Sequence, residues 1–361
     1  MLVGRKNSFV IDHPIAKSEV VLTFMDWKGL KKRLTTTGST RTAPFTLPSL
    51  LLEIQPDFIV GTRLAAVKHQ REVRRIHVEA LPPQAVSPHA GHTNVANPDA
   101  VREAASAVTS ALGNGSDRFG LLLSDAATRV GVLAFETLPD DHRQAEAMVR
   151  WKLGESLPFP AEEARVHYQV LLNQPGRVEI LAVAGRDTVL GQYESVLGPA
   201  RGTAALVLPC TMALLPLVPE RSNAGQLLLH LCCRWVTAVV VLGSRVCFWR
   251  TREVRPDPAD MVADVATEAA RVLAGSRDHL QVEMGGVWLC ARPTAPPGLE
   301  QELARATGCE VKELAPPPEP GSLLVGEERL NFARYGVVAA GLAHNSEAIG
   351  HRPSAGAAIS R

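Results

Sequence analysis

Apolar residues in this chain fall into two rhythms, one alternating and one helical, and their order along the sequence predicts the architecture. SLLLEIQPDFIVGTRLAAVK, from Ser49, reads as strand, tight turn and strand, and residues 74–81 supply a third strand. A loop over 82–98 carries His89 and His92, and Asn97 opens an amphipathic helix over 98–112. Strands are expected at 120–124, 129–136, 167–172 and 177–184, with helices at 142–154 and 187–197. Residues 204–217 are mostly apolar, and Pro209 and Pro216 limit any helix there. A second strand series follows at 226–232, 235–242 and 245–251. A helix is then expected over 257–274, with Met261, Val262, Val265, Ala269 and Val272 as its apolar stripe. Strands at 287–290 and 310–314, a helix at 299–307, a loop at 316–321 and a closing helix at 331–344 complete the series. The composition from Asn345 onward predicts a disordered tail.

The most distinctive stretch is 139–171. Asp140 and Asp141 follow Pro139, where carboxylates favour a helix N-terminus. Ala145, Met148, Val149 and Leu153 recur at helical spacing, and Leu157-Pro158-Phe159-Pro160 stops the helix before a β-prone run. The stretch is a packing module and carries no obvious chemistry.

Composition narrows the function classes. At 361 residues, 46% hydrophobic and 21% charged, the chain can bury two cores. A net charge of +1 gives no general field for nucleic acid, and 5% aromatic residues leave few stacking platforms. The six cysteines lie in apolar contexts without a CxxC, as expected of reduced thiols in a cytosolic protein. No segment reads as a signal peptide, and the apolar run 227–242 holds His230 and Arg234, so two buried strands explain it better than a membrane span. Residues 1–46 carry eight Lys/Arg against three Asp/Glu and read as a basic, flexible extension, solvated or in touch with anionic lipid.

Candidate chemistry is sparse. His89 and His92 have HxxH spacing but no evident third and fourth ligand. Ser124-Asp125 lies outside any GxSxG context, and no GxxxxGK[ST] occurs. Asp257, Asp260 and Asp264 cluster at a helix start, which their interaction with the helix dipole explains without a metal. Trp151, between Arg150 and Lys152, is either a packing residue or a partner anchor.

The element order and the wording PFPxEE…YQVL resemble the inserted subdomain of PilM-type type IV pilus assembly proteins, related to the cytoplasmic domain of the type II secretion protein GspL. The resemblance is specific at 139–200 and extends more weakly over about 48–345. It implies an α/β, two-lobed actin-like ATPase (ribonuclease H-like) fold with a small α+β insertion. The hairpin series that occurs at 49–81 and again at 226–254 is the duplication such a fold requires. The expected organisation is a basic extension (1–46), a first lobe (47–135), the inserted subdomain (136–202), a second lobe (203–344) and a disordered tail (345–361). The second lobe is expected to be reduced, because Thr251-Arg252-Glu253-Val254 runs almost directly into the helix from Asp257.

An actin-like ATPase grips phosphates between two hairpin turns, each needing a metal-holding carboxylate followed by small residues. At the positions the resemblance assigns, Glu53 retains a carboxylate, but Gln55 replaces glycine and Pro56 removes a donor. In the second hairpin His230 stands in place of the acid and Cys232 in place of the glycine. The Gly-Gly that would make room for adenosine is Ala291-Arg292, and Gly285-Gly286 lies before that strand. The resemblance therefore implies a degenerate ATPase fold that is not an enzyme, with no cofactor expected and Mg-ATP only if the altered motifs still bind.

By the same resemblance the partner is the N-terminal peptide of a PilN-like bitopic inner-membrane protein. It would dock near the strand at 133–136, Arg150, Trp151, Pro158 and Phe159. The expected place is the cytoplasmic face of the inner membrane, peripherally associated, with a homo-oligomer or ring as an option and no nucleic acid. The alternatives are an ATP-binding actin-like ATPase or sugar-kinase relative, and a membrane-surface protein acting through residues 1–46.

Overall fold

The computed structural model describes residues 47–345 except 68–69, 114–117, 199–201, 221–223, 282 and 317–323. The expected N-terminal extension, and the expected tail beyond Asn345, lie outside the described residues. Two five-stranded sheets repeat one topology. In the first, β1 (Leu50–Ile54), β2 (Phe58–Val67) and β3 (Gln70–Ala80) form an antiparallel meander. Beside β1, β4 (Arg118–Leu123) and β8 (Thr203–Pro209) run parallel to it, giving the order β3-β2-β1-β4-β8.

In the second sheet β9 (Gly225–Cys232), β10 (Trp235–Leu242) and β11 (Arg245–Glu253) repeat the meander. There β12 (Met284–Arg292) and β13 (Val311–Glu313) are parallel to β9, giving β11-β10-β9-β12-β13. Parallel neighbours need crossovers, and these too are repeated. Helix α1 (Pro98–Ala111) joins β3 to β4 as α5 (Pro258–Gly275) joins β11 to β12; α3 (Asp187–Glu194) precedes β8 as α6 (Leu299–Thr307) precedes β13. Both long crossover helices start alike: Asn97 and Asp257 accept backbone N–H groups on their side chains, and proline occupies the first helical position.

Strand alternation divides the core into layers. Leu50, Leu52 and Ile54 point to the outer face of the first sheet, under α1 and α3, while Leu51 points to the other lobe. In β9, Leu227, Leu229 and Leu231 meet α5 and α6, whereas Leu228 and Cys232 join the same interlobe core as Leu51. The apolar run 227–242 is thus the two buried strands β9 and β10, and among the described residues no helix is long and apolar enough to cross a membrane. Residues 254–257 alone link β11 to α5, so the second lobe has no room there for a subdomain.

A third sheet, β5 (Arg129–Phe135), β7 (Arg177–Arg186) and β6 (Ala164–Gln174), has the order β5-β7-β6 and is wholly antiparallel. Helix α2 (His142–Gly154) seals it with Val149 and Leu153, and Asp141 caps the helix through Gln144 N at 2.9 Å.

Sheet membership corrects the expected boundaries. The strand assigned to the end of the first lobe, β5, pairs with β7 and belongs to the insertion, whose last strand ends at Arg186. Helix α3 packs Val189, Leu190 and Tyr193 into the first lobe's core, and β8, expected to open the second lobe, pairs with β4 in the first. The closing helix is two helices, α7 (Gly326–Tyr335) and α8 (Val337–Asn345), and both contact β3 of the first lobe.

The lobes also meet through helices. The five-residue helix α4 (Cys210–Leu214), which follows β8, packs against α8, which follows β13. A Cβ at Gly341 would lie 2.0 Å from the carbonyl oxygen of Ala213, a backbone atom that no rotamer change can move. Gly341→Ala is expected to force α4 and α8 apart and destabilise the protein by about 1–3 kcal/mol. Chemical denaturation measures this, and an unchanged midpoint would contradict the close packing.

Candidate functional site

The carboxyl ends of the central strands of both sheets converge on the interface between the lobes, the place where open α/β sheets bind ligands. Alternation places the side chains there. Glu53 is the seam-facing neighbour of Ile54 on β1, and His230 and Cys232 follow Leu228 on the seam face of β9. Arg292 closes β12, whose Trp288 and Cys290 also face the seam. Asp125 follows the end of β4, and Cys210 and Thr211 follow β8.

These groups form one buried hydrogen-bonded network. Arg292 grips Glu53 with a fork, Nη1 to Oε2 at 2.9 Å and Nη2 to Oε1 at 2.6 Å, with the two side chains only 2% and 4% exposed. Gln55 Nε2 donates to Glu53 Oε1 at 2.9 Å and to Cys210 Sγ at 3.3 Å. Arg292 Nη2 also lies 3.1 Å from His230 Nε2. A guanidinium can only donate, so Nε2 accepts and the ring proton sits on Nδ1. That nitrogen faces Thr211 Oγ1 at 2.7 Å and Asp125 Oδ2 at 3.3 Å. Asp125 further accepts from Thr211 N at 3.1 Å, Thr211 Oγ1 at 2.6 Å and Thr237 Oγ1 at 3.2 Å.

Burial opposes the charge on Arg292, but the Glu53 carboxylate outweighs it and holds the guanidinium well above its ordinary pKa. Burial pushes the Cys210 thiol up, and that of Cys290 up to about 12. Cys232 goes the other way, to about 6, through its contact with Cys233 and the nearby Arg292.

Five of the six positions that the sequence assigned to a lost nucleotide site, Glu53, Gln55, His230, Cys232 and Arg292, therefore lie together. Ala291 does not join them; it alternates to the outer face and packs against the α5–α6 core. The donor set does not suit a metal-bound triphosphate. Both oxygens of Glu53 are engaged by a fixed cation, and Gln55 N is already bonded to Phe58 O at 3.0 Å. Among the described residues no group of three or more His, Cys, Asp or Glu could hold a metal ion. Sequence reasoning did not find Asp125, Cys210, Thr211 and Thr237. For Asp125 and Thr211 the available signal was positional, a polar residue just beyond an apolar strand of the first sheet; Thr237, inside β10, gave none.

The expected docking residues are placed differently. Trp151 on α2 is 72% exposed, while Arg150 pairs with Glu146 one turn away. Pro158 is exposed but Phe159 is 8% exposed and fills the insertion's own core, so Phe159 is not free to meet a partner. The nearby strand β5 pairs only with β7 and is an edge, with Ala134 exposed; Lys152 donates to Ala134 O at 2.5 Å and lies 4.7 Å from the centre of the Phe135 ring. The rings of His89 and His92 stack at 4.3 Å, and between them Ala90 plugs the insertion's core. That loop tethers the insertion to the first lobe, helped by Arg186 Nη1, which donates to Gly91 O at 2.6 Å.

No known protein family and no curated protein match the sequence. Among solved structures, a chain of the PilM-PilN type IV pilus biogenesis complex aligns over 83% of this chain and 99% of its own, with a TM-score of 0.71 and 17% identity. This chain therefore shares the fold of that solved chain, and it is a two-lobed, actin-like α/β fold. A Bacteroides thetaiotaomicron protein with actin-like ATPase fold and unknown function aligns at 11% identity and a TM-score of 0.48, over 81% of this chain and 94% of its own. The cytoplasmic domain of EpsL from the Vibrio cholerae type II secretion system aligns at 14% and 0.38, over 77% and 98%.

Removing one member of a buried ion pair strands the other without solvent. Arg292→Met is expected to destabilise the protein by about 3–5 kcal/mol, and Glu53→Leu similarly. The double variant should cost less than the sum of the two. A denaturation cycle in which the two effects simply add would contradict the pairing.

Proposed function

We propose that this protein is a non-catalytic cytoplasmic scaffold of a type IV pilus or type II secretion-like assembly at the inner membrane. In this reading it binds the N-terminal peptide of a PilN-like membrane protein. The observation that carries the proposal is the fork between Arg292 and Glu53. The fold would offer its triphosphate a carboxylate for a metal and open backbone at this point. Here a guanidinium from the second lobe neutralises the carboxylate from the first, so a divalent cation would meet a positive charge. The likeness in fold to a PilM–PilN chain supports the same reading.

The peptide is assigned to the insertion, along the edge of β5 that no strand pairs with and beside α2. An unpaired edge strand offers a row of main-chain donors and acceptors, and an extended peptide can add to it. Trp151, on the exposed face of α2, supplies an apolar anchor within a charged surface. The lobes, held together by their own network, would then act as a rigid support. Peripheral association with the membrane and any ring or other homo-oligomer follow from the partner and belong to the same proposal.

Two measurements test it. Arg150→Glu combined with Trp151→Ala should abolish co-purification with the co-expressed PilN-like protein of the same organism, and undiminished recovery would refute the docking site. Millimolar Mg-ATP should leave the melting temperature unchanged, because only a ligand that binds the native state raises it. A rise of several degrees would favour the alternative, an ATP-binding actin-like protein.

A further inference from the structure

We propose that Cys232 and Cys233 form an oxidative modification site, in which hydrogen peroxide closes a reversible disulfide between neighbouring residues and draws the Cys232 sulfur away from the interlobe network. The two thiols occupy the end of β9 and the first position of the two-residue turn into β10, where Cys232 pairs with Trp235. Their sulfurs are 4.0 Å apart, and Cys233 holds the left-handed conformation at φ 53°.

The pair is chemically asymmetric. Arg292 Nη2 is 3.8 Å from Cys232 Sγ, and the contact with Cys233 together with the nearby Arg292 holds this thiol below its ordinary pKa, which favours the thiolate. Cys233 is the outer, half-buried partner, and its contact with Cys232 together with burial pushes its own pKa up, so it keeps its proton until Cys232 has been oxidised. The other thiols lack this combination: Cys210 and Cys290 are buried with raised pKa values, and burial also raises Cys247.

The reaction balances with peroxide as the two-electron oxidant. The Cys232 thiolate attacks one peroxide oxygen, the O–O bond breaks, and the departing hydroxide takes a proton and leaves as water. The Cys233 sulfur then attacks the Cys232 sulfenic acid, forming the S–S bond, and the sulfenic oxygen leaves with two protons as a second water. In sum, two thiols and one peroxide give one disulfide and two waters. Closure brings the sulfurs from 4.0 Å to the roughly 2.05 Å of a disulfide. It removes one of the anionic neighbours of Arg292, so the oxidised protein should unfold at lower denaturant than the reduced one.

The test treats the full chain with hydrogen peroxide and follows intact mass, free thiols and proteolytic peptides. A loss of about 2 Da and of two of the six thiols is expected, with a cross-link between Cys232 and Cys233 that dithiothreitol reverses. Cys233→Ser should abolish the cross-link and leave Cys232 to gain oxygen instead. Three results would overturn the proposal: no thiol loss, a cross-link from Cys232 to Cys210 or Cys290, or the same 2 Da loss in Cys233→Ser. Peptide mapping of the unaltered chain decides among the cross-links even if the variant fails to fold.

Discussion

Where the two lobes abut, a carboxylate from one and a guanidinium from the other meet almost entirely out of contact with water, and the arrangement of the rest of the molecule follows from that meeting. Taking both charges out of solvent costs several kcal/mol each, and only good geometry with additional hydrogen bonds offsets it. The Arg292–Glu53 fork has both, since Gln55 donates a further hydrogen bond to the carboxylate and His230 Nε2 accepts one from the guanidinium. A bidentate fork tolerates little sliding or rotation. It therefore sets the position of one sheet against the other, and with it the junction of α4 and α8 behind the strands. Asp125, with its three donors from Thr211 and Thr237, makes a second tie of the same kind a short way off.

The apolar surroundings make the network selective. One continuous buried cluster runs from Leu51, Val73 and Ile76 of the first sheet through Leu208 and Leu214 to Leu228, Val239 and Val241 of the second. A cleft that opened and closed around a ligand would have to split this cluster and rehydrate it. The duplicated topology thus brings two sets of strand ends together as such folds do, but the space between them is occupied by the protein's own side chains.

The insertion is built on a different principle. It has its own small core, with α2 on one face of a three-stranded sheet and Phe159 and Ala90 as plugs. Its outer strand is an edge and its helix carries an exposed tryptophan. Arg245 bridges to Glu179 at 3.0 Å, and Leu171, Leu181 and Val183 of the insertion's sheet join the interlobe cluster, so the insertion packs against the second lobe.

The chain by itself determined the elements and their order. Blocks such as LLLEI and GQLLLHLC are dominated by leucine and therefore read as buried strands, and Asn97-Pro98 and Asp257-Pro258 mark helix starts through local hydrogen bonding alone. The duplication was visible for the same reason, whereas Glu53, Gln55, His230 and Cys232 stood out only against the hairpin motif that the resemblance supplied. Tertiary structure alone decided which sheet claimed β5 and β8, since pairing depends on strands distant in sequence and the strands' own residues are equally apolar in either sheet. It also decided the meaning of Arg292. At the end of an apolar strand this arginine reads only as a missing glycine, yet its partner lies 239 residues away and is reached only when the lobes close together.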